Sequence, residues 1–282
     1  MPAGQQARFN LPAACQRLQS APMLLAIDVG NSNITLGLWD GAAWVRQWRL
    51  RTVADKTVDE YGVYLKSLLR EAAAAEGVAA AVLASVVPPL TATFLAVCGE
   101  YLGCQPLQVT AESDVGIAIK TENPAEVGAD RIANAAAAYY LYSGPAIVVD
   151  MGTATTFDVV TGRGELAGVA IAPGLGLAAA ALAGRAAQLS KVALEAPPQA
   201  IGRNTMHAMQ SGLIFGYASL VEGMVGRLAA ELGPPRPRVI GTGGLIGVIA
   251  AETRVIEIVD PWLTLNGLRL IYDRATGRGQ VP

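Results

Sequence analysis

From Leu24 to Ile27 the chain is continuously apolar, and then Ile34, Leu36 and Leu38 alternate with Thr35 and Gly37. An unbroken apolar run predicts a strand buried on both faces, and strict alternation predicts a half-buried one. Asp40-Gly41 is a hairpin signal, so Trp44 to Leu50 is expected to return as a third strand. Tyr61, Leu65, Leu68 and Leu69 recur at helical spacing within a helix expected from Thr57 to Ala75. Thr57 with Glu60 three residues on reads as its capping box. A buried strand from Ala80 to Val87 is expected to stop at Pro88-Pro89. A helix from Thr91 to Leu102 and a short strand from Leu107 to Val109 follow, and Thr110 to Val127 reads as irregular.

The second half repeats the plan. A helix from Gly128 to Tyr142 leads into strands near 146–150, 154–160 and 165–171, with a turn at Gly162-Arg163-Gly164 matching Asp40-Gly41. Helices near 175–187 and 206–232, strands at 238–241 and 255–259 and a last helix from Pro261 to Arg274 complete the pattern. Strands first, then alternating helices and strands, twice over, predict a duplicated mixed-sheet α/β architecture. The expected organisation is a disordered extension over 1–22, domains at 23–127 and 128–276, and a tail at 277–282.

With 282 residues, 52% hydrophobic and 16% charged, the chain has material for two domains and a large core. The formal net charge of −2, without a basic block, argues against a nucleic-acid binder. Cys15, Cys98 and Cys104 have no metal-ligand spacing and fit free thiols in a reducing compartment. The uncharged stretches Ile132–Val149 and Leu166–Gly184 are broken by Ser143-Gly144-Pro145 and by Pro173, Gly174 and Gly176. Buried segments are therefore expected rather than membrane spans. Residues 1–22 lack the apolar core of a signal peptide, and the expected location is the cytoplasm.

The candidate chemistry begins with a repeated phrase. Leu24 to Asp28-Val29-Gly30-Asn31-Ser32 and Ala146 to Asp150-Met151-Gly152-Thr153 each run an apolar strand into an aspartate and a glycine turn, 150 − 28 = 122 residues apart. That offset exceeds solenoid periods and suits a duplicated domain. A glycine turn lets backbone N–H groups approach an anion while the carboxylate holds Mg²⁺, its waters or a monovalent cation. Two such turns facing each other would clamp a phosphate chain. Gly241-Thr242-Gly243-Gly244 follows a strand and precedes a helix, a weaker signal that plain packing also explains. Neither a Walker motif nor a dinucleotide fingerprint is present.

Glu126-Val127-Gly128-Ala129-Asp130-Arg131 opens the central helix. Asp130 and Arg131 could simply cap and solvate it. The sharper reading gives Asp130 a proton to accept and Arg131 a carboxylate to grip with its planar fork. Glu126 and Asn134 read as supporting residues. His207, the only histidine, has no nucleophile motif beside it, so general-base work falls to a carboxylate. Gly212 and Gly216 suggest close packing along helix 206–232, or a subunit interface.

Residues 23–273 resemble the type III pantothenate kinases, bacterial members of the acetate and sugar kinase, Hsp70 and actin superfamily. The resemblance rests on Asp28-Val29-Gly30-Asn31-Ser32-Asn33, Gly128-Ala129-Asp130-Arg131, Asp150-Met151-Gly152-Thr153-Ala154-Thr155-Thr156, Ile201-Gly202-Arg203-Asn204-Thr205 and Ser85-Val86-Val87-Pro88-Pro89-Leu90. It implies two ribonuclease-H-like (actin-like ATPase) domains with ATP in the interdomain cleft, a homodimer, and ATP-dependent phosphorylation of pantothenate towards coenzyme A. It implies that Asp28, Val29, Gly30, Asn31, Ser32, Asn33, Ile34 and Thr35, with Thr153, bind ATP. Asp130 would be the general base, and Asp150 would bind a monovalent cation (K⁺ or NH₄⁺). Asp28 would hold Mg²⁺ directly or through water. Thr121, Gly128, Ala129, Asp130, Arg131 and Thr205 would contact pantothenate, Thr205 from the other subunit if the dimer shares its sites. Members commonly carry Tyr where Thr121 stands and Thr where Ser32 stands. Alternatives are another small-molecule kinase or an ATPase of the superfamily, or a non-catalytic regulatory relative. No nucleic acid or membrane partner is expected.

Overall fold

The computed structural model describes residues 23–72, 74, 77–185 and 192–278, so the extension over 1–22, Cys15 and the end of the tail lie outside the described residues. The chain forms two units. The first runs to Leu83 and includes Val87–Gln108; the second comprises Ala84–Val86 and the chain from Val109.

In the first unit β1 (Met23–Val29), β2 (Asn33–Trp39) and β3 (Trp44–Arg51) form an antiparallel meander. Asp40 closes the β2–β3 hairpin, its Oδ1 accepting from the N–H groups of Ala42 and Ala43 at 2.8 Å each. Helix α1 (Val58–Glu71) starts with both halves of the Thr57/Glu60 capping box. It ends earlier than residue 75, with Ala72 as its cap. Strand β4 (Val78–Ser85) lies beside β1, and β5 (Leu107–Gln108) pairs with it in parallel, giving the order β3-β2-β1-β4-β5. Helix α2 (Pro88–Val97) begins at the prolines instead of after them. A proline in the first turn gives up an N–H that has no intrahelical acceptor anyway, so Pro88-Pro89 starts this helix as well as ending the strand. The chain then winds on as a π-helical turn, Cys98–Leu102. Ile27, Leu36, Tyr61, Leu65 and Phe94 fill the core, with the Tyr61 and Phe94 rings 5.0 Å apart.

The second unit repeats the order. Strands β7 (Ala146–Met151), β8 (Ala154–Val160) and β9 (Glu165–Pro173) form the meander, and β10 (Arg238–Thr242) lies parallel to β7. Strand β11 (Ile258–Val259) follows it. It is shorter than the expected 255–259, although Glu257 N–H still donates to Val239 O at 3.0 Å. The order β11-β10-β7-β8-β9-β6 matches the first sheet with one strand added. That strand, β6 (Ala118–Ile119), lies in the stretch expected to be irregular and pairs in parallel with β9. Residues 109–127, assigned above to the first domain, therefore count with the second unit. Two residues carry no periodicity, so only the neighbour reveals the strand.

Helices cover both faces of this sheet. On one face lie α3 (Ala129–Tyr142) and α7 (Leu263–Thr276), over Val148, Val160 and Ile240. On the other lie α4 (Leu175–Arg185), α5 (Thr205–Leu232) and the short α6 (Ile246–Ala250), over Ile147, Val149 and Phe157. Helix α5 is, among the described residues, the one helix long and apolar enough to cross a membrane by length and composition. Its Leu213, Ile214, Tyr217, Val221 and Val225 pack into this core, and Tyr217 donates its hydroxyl to Pro173 O at 2.9 Å.

The contact of α3 with α7 is built on small residues. Ala133 and Ala135–Ala138 are fully buried, and a Cβ on Gly267 would fall onto the Ala133 carbonyl oxygen. That atom is backbone and cannot swing aside. Gly267→Ala is expected to force the helices apart and lower stability by about 1–3 kcal/mol, the usual cost of overpacking. Urea unfolding monitored by circular dichroism checks this, and an unchanged midpoint would contradict it.

Candidate active site

The first glycine turn belongs to the first unit. Asp28 is half-buried at the end of β1, opposite Thr35. Gly30 N–H donates to Asn33 O at 3.0 Å, and Thr52 pins the turn, its Oγ1 donating to Gly30 O at 2.6 Å and its N–H to Ser32 O at 3.1 Å. Asn31, Ser32 and Asn33 are exposed, while Val29 and Ile34 are buried under the turn, so the latter two fix its position with their side chains. Polar side chains and backbone are what this loop offers to a ligand.

The second turn copies the first. Asp150 is half-buried opposite Thr156, and Gly152 N–H donates to Ala154 O at 3.0 Å. Gly152 and Thr153 are exposed. Here the structure adds groups that sequence left weak or unassigned. The parallel register of β10 with β7 sets Thr242 beside Asp150. Gly243 follows at φ +92°, where a Cβ would sit 2.5 Å from Asp150 Oδ1 and 2.6 Å from Met151 N. A Cβ on Gly174 would likewise run into the Thr153 carbonyl oxygen. Gly243 thus closes on the carboxylate itself, and Gly174 on the backbone of the turn that follows it. From the other side Asn134 Nδ2 donates to Asp150 Oδ2 at 3.2 Å, and Thr264 Oγ1 donates to Asn134 Oδ1 at 2.8 Å. This pair fixes the carboxylate from beneath, as the reading of Asn134 as a supporting residue expects.

Helix α3 carries the remaining acids and the cation. Asp130 is half-buried in its first turn, and its Oδ1 accepts from Arg131 N–H at 2.8 Å. Gly128, the N-cap, has ordinary φ, and its need is close approach. A Cβ there would stand 2.5 Å from Asp130 Oδ1 and 3.1 Å from Val86 Cγ1. Ala129 is buried. Arg131 is half-buried, and its guanidinium makes no hydrogen bond or ion pair among the described residues. Asn123 donates to Glu126 Oε1 at 2.8 Å on the exposed loop before the helix.

Asp158 on β8 went unremarked in sequence because it sits inside an apolar strand. It is fully buried, and neither carboxyl oxygen has a hydrogen-bond partner. Burial pushes its pKa well above the usual carboxylate range; Arg131 opposes the shift, and Asp150 and Asp130 add to it. Asp130, Arg131, Asp150 and Asp158 are thereby one electrostatic group.

Among the described residues, none of the other candidates hydrogen-bonds with this group. Thr121 follows β6, and its Oγ1 is buried without a hydrogen-bond partner. Thr205 is the exposed first residue of α5, capped by Asn204, whose Oδ1 accepts from His207 N–H at 2.8 Å. His207 Nδ1 lies 3.3 Å from Asn204 Nδ2, a local contact. Burial pushes the Cys98 thiol up to about 12 and raises that of Cys104, so neither supplies a thiolate. Among the described residues, no group of three or more His, Cys, Asp or Glu side chains could hold a metal ion. A cation here would instead sit on single carboxylates completed by ligand oxygens.

Comparison with known proteins adds a second line. The family model for type III pantothenate kinase matches residues 24–227. A type III pantothenate kinase of Roseiflexus castenholzii is 51% identical over 255 residues, covering 89% of this chain and 98% of that protein. One from Moorella thermoacetica is 49% identical over 255 residues, covering 90% of this chain and all of that protein. Among solved structures, one described as a Baf family transcriptional activator from Campylobacter jejuni superposes with a TM-score of 0.56 at 20% identity. It covers 90% of this chain and 99% of its own, a likeness of fold.

Proposed function

The chain belongs to the type III pantothenate kinase family, and on that premise we infer that it transfers the γ-phosphoryl group of ATP to the primary hydroxyl of pantothenate, the first step towards coenzyme A. The observation that carries this is near-half identity along almost the whole length of relatives bearing that name.

The site supports a division of labour. In our reading the turn from Asp28 to Thr35 and Thr153 hold the ATP phosphates through polar side chains and backbone. Arg131, whose guanidinium has no ion-pair partner among the described residues, takes the carboxylate of pantothenate in a two-point grip. Gly128, Ala129 and Thr121 border that acceptor. Asp130 accepts the hydroxyl proton as the new O–P bond forms and the bond from the γ-phosphorus to the bridging oxygen breaks, releasing ADP. Phosphoryl transfer is mainly positioning and charge stabilisation, so these groups suffice.

The cations fit the donors present. Asp28 is a half-buried hard-oxygen ligand at a glycine turn, and Mg²⁺ commonly takes one or two carboxylates plus phosphate oxygens. Asp150, in the space left by Gly243, suits a monovalent cation such as K⁺ or NH₄⁺. When bound, these ions neutralise charge on the transferring phosphoryl group.

Homodimerisation is supported by the outer face of α5, where Gly212, Gly216, Ser219, Gly223 and Gly226 are exposed and would let a second helix approach closely. Leu177, Leu182, Ile201 and Met206 add exposed apolar surface on the same unit. In a dimer, Thr205 would be offered to the partner's acceptor site. A bacterial metabolic kinase of this kind is expected in the cytoplasm.

The test is incubation with ATP, Mg²⁺ and pantothenate, with and without K⁺, read by mass. Phosphopantothenate is expected, with a higher yield in K⁺. ADP release that ignores pantothenate would make the chain an ATPase. No turnover at all would favour a regulatory role, the reading that the Campylobacter jejuni structure's description keeps in view.

A further inference from the structure

The phosphate chain of ATP carries several negative charges, and in the reading above no cationic side chain is assigned to it. The register of the first sheet supplies one. Asp28 on β1 pairs directly with Thr35 on β2, and Thr35 pairs directly with Arg49 on β3. Directly paired residues share a face, with Cβ atoms about 5 Å apart. The core fixes which face this is. Ile27, Val29, Ile34, Leu36, Trp48 and Leu50 pack on the side of α1 and α2, so Asp28, Thr35 and Arg49 lie on the opposite side. Thr52, the residue after β3, is bonded twice to the glycine turn, its Oγ1 to Gly30 O at 2.6 Å and its N–H to Ser32 O at 3.1 Å. The strand that carries Arg49 is thereby anchored to the turn that follows Asp28.

Arg49 is exposed and makes no hydrogen bond or ion pair among the described residues. Thr35, between it and Asp28, is short, so the longer side chain can lean across it. Charge on an edge strand also guards a sheet against pairing with another chain, and β3 is an edge strand. Arg46 meets that need as well: it is exposed on the same strand but pairs with Leu38, which belongs to the core side. Edge protection therefore asks for charge and does not choose a face. Of the other basic residues described in this unit, Lys56 donates to the Tyr64 hydroxyl at 2.8 Å, and Lys66 and Arg70 ride on α1. Arg51 shares the face of Arg49 but pairs with Asn33, beyond the last paired residue of β1. Arg49 is the basic residue level with Asp28. We propose that Arg49 is a further ATP-binding residue, its guanidinium gripping the phosphate chain that the Asp28 turn receives. This deepens the site reading above and rests on its assignment of residues 28–35 to ATP. A guanidinium offers paired N–H donors to two phosphate oxygens, and such charge-assisted bonds are about twice as strong as neutral ones. The contact is to ATP, and the KM for pantothenate does not depend on it.

Steady-state kinetics and melting temperatures of Arg49→Ala, Arg49→Lys, Arg46→Ala and Asp28→Asn test this. In Arg49→Ala, kcat/KM for ATP is expected to fall about 10–100-fold, the range of a lost charge-assisted hydrogen bond, with the KM for pantothenate changed by less than about threefold. The melting temperature should stay within about 2 °C, since an exposed side chain without a partner has been removed. Arg49→Lys should recover part of the loss, because a point charge also holds phosphate. Added salt should weaken the use of ATP by the parent more than by Arg49→Ala. Arg46→Ala should match the parent. ATP kinetics lowered in Asp28→Asn but unmoved in Arg49→Ala overturn the proposal and leave the turn as the phosphate site. ATP kinetics unmoved in Asp28→Asn remove the site reading, and the proposal with it. An equal loss in Arg46→Ala makes the effect one of general charge and overturns the proposal. So does a loss in Arg49→Ala that lysine does not relieve and that comes with a lower melting temperature and a raised pantothenate KM, which assigns Arg49 to the stability of the strand.

Discussion

Asp130→Asn is expected to fold and bind ATP as the parent does and to turn over about 10²–10⁴-fold more slowly, the usual loss when a general base is removed. In barrier terms that is about 2.7–5.5 kcal/mol. The expectation of normal folding has a structural basis. Among the described residues, this carboxyl's one protein hydrogen bond is the one that Oδ1 accepts from Arg131 N–H at 2.8 Å, and an asparagine amide oxygen can accept it equally. The helix start is therefore kept while the proton acceptor is lost. Gly128 leaves just enough room for the side chain, and Asn occupies the same volume as Asp. Coupled ADP release in saturating pantothenate, together with calorimetric ATP binding, separates the two effects. Turnover near that of the parent would take Asp130 out of the mechanism.

What could be read from the chain alone follows the range of each interaction. The Asp28 and Asp150 turns announce themselves locally, because an apolar strand, an acid and a glycine are adjacent in sequence. The doubled strand order follows from the same repetition, and the Thr57/Glu60 capping box spans three residues. Other features depend on partners far away. Gly243 matters because β10 lies in parallel register with β7, a pairing made across about ninety residues that no local pattern encodes. Strand β6 exists only through β9. Asp158 hides in a strand of otherwise apolar and threonine residues, where its charge looks like a surface position until the sheet is covered on both faces. The start of α2 at Pro88 is a different case: the residue type was legible, and its two permitted uses, breaker and first-turn residue, were not separable.

Gly243→Ala is expected to damage both stability and cation response, because two separate constraints meet at that residue. Its φ of +92° lies where an L side chain is strained, at a cost of about 1–2 kcal/mol. The added methyl would also press within 2.5 Å of Asp150 Oδ1 and 2.6 Å of Met151 N. Met151 N belongs to the central strand and cannot retreat, and overpacking of this kind adds about 1–3 kcal/mol. The melting temperature should fall by about 4–20 °C, taking about 2–4 °C per kcal/mol for a domain of this size. The carboxylate gives way more readily than backbone, but Asn134, itself held by Thr264, fixes its far oxygen, so the shift reaches the seat proposed for a cation. Activation by K⁺ should accordingly weaken in whatever fraction remains folded. Gly247→Ala is the matched control: it lies on α6 with no atom within 4 Å of a new Cβ, so there alanine should be neutral or stabilise by up to about 1 kcal/mol. A Gly243→Ala protein that melts like the control and keeps its K⁺ response would mean that the glycine turn after β10 has no part in seating a cation at Asp150.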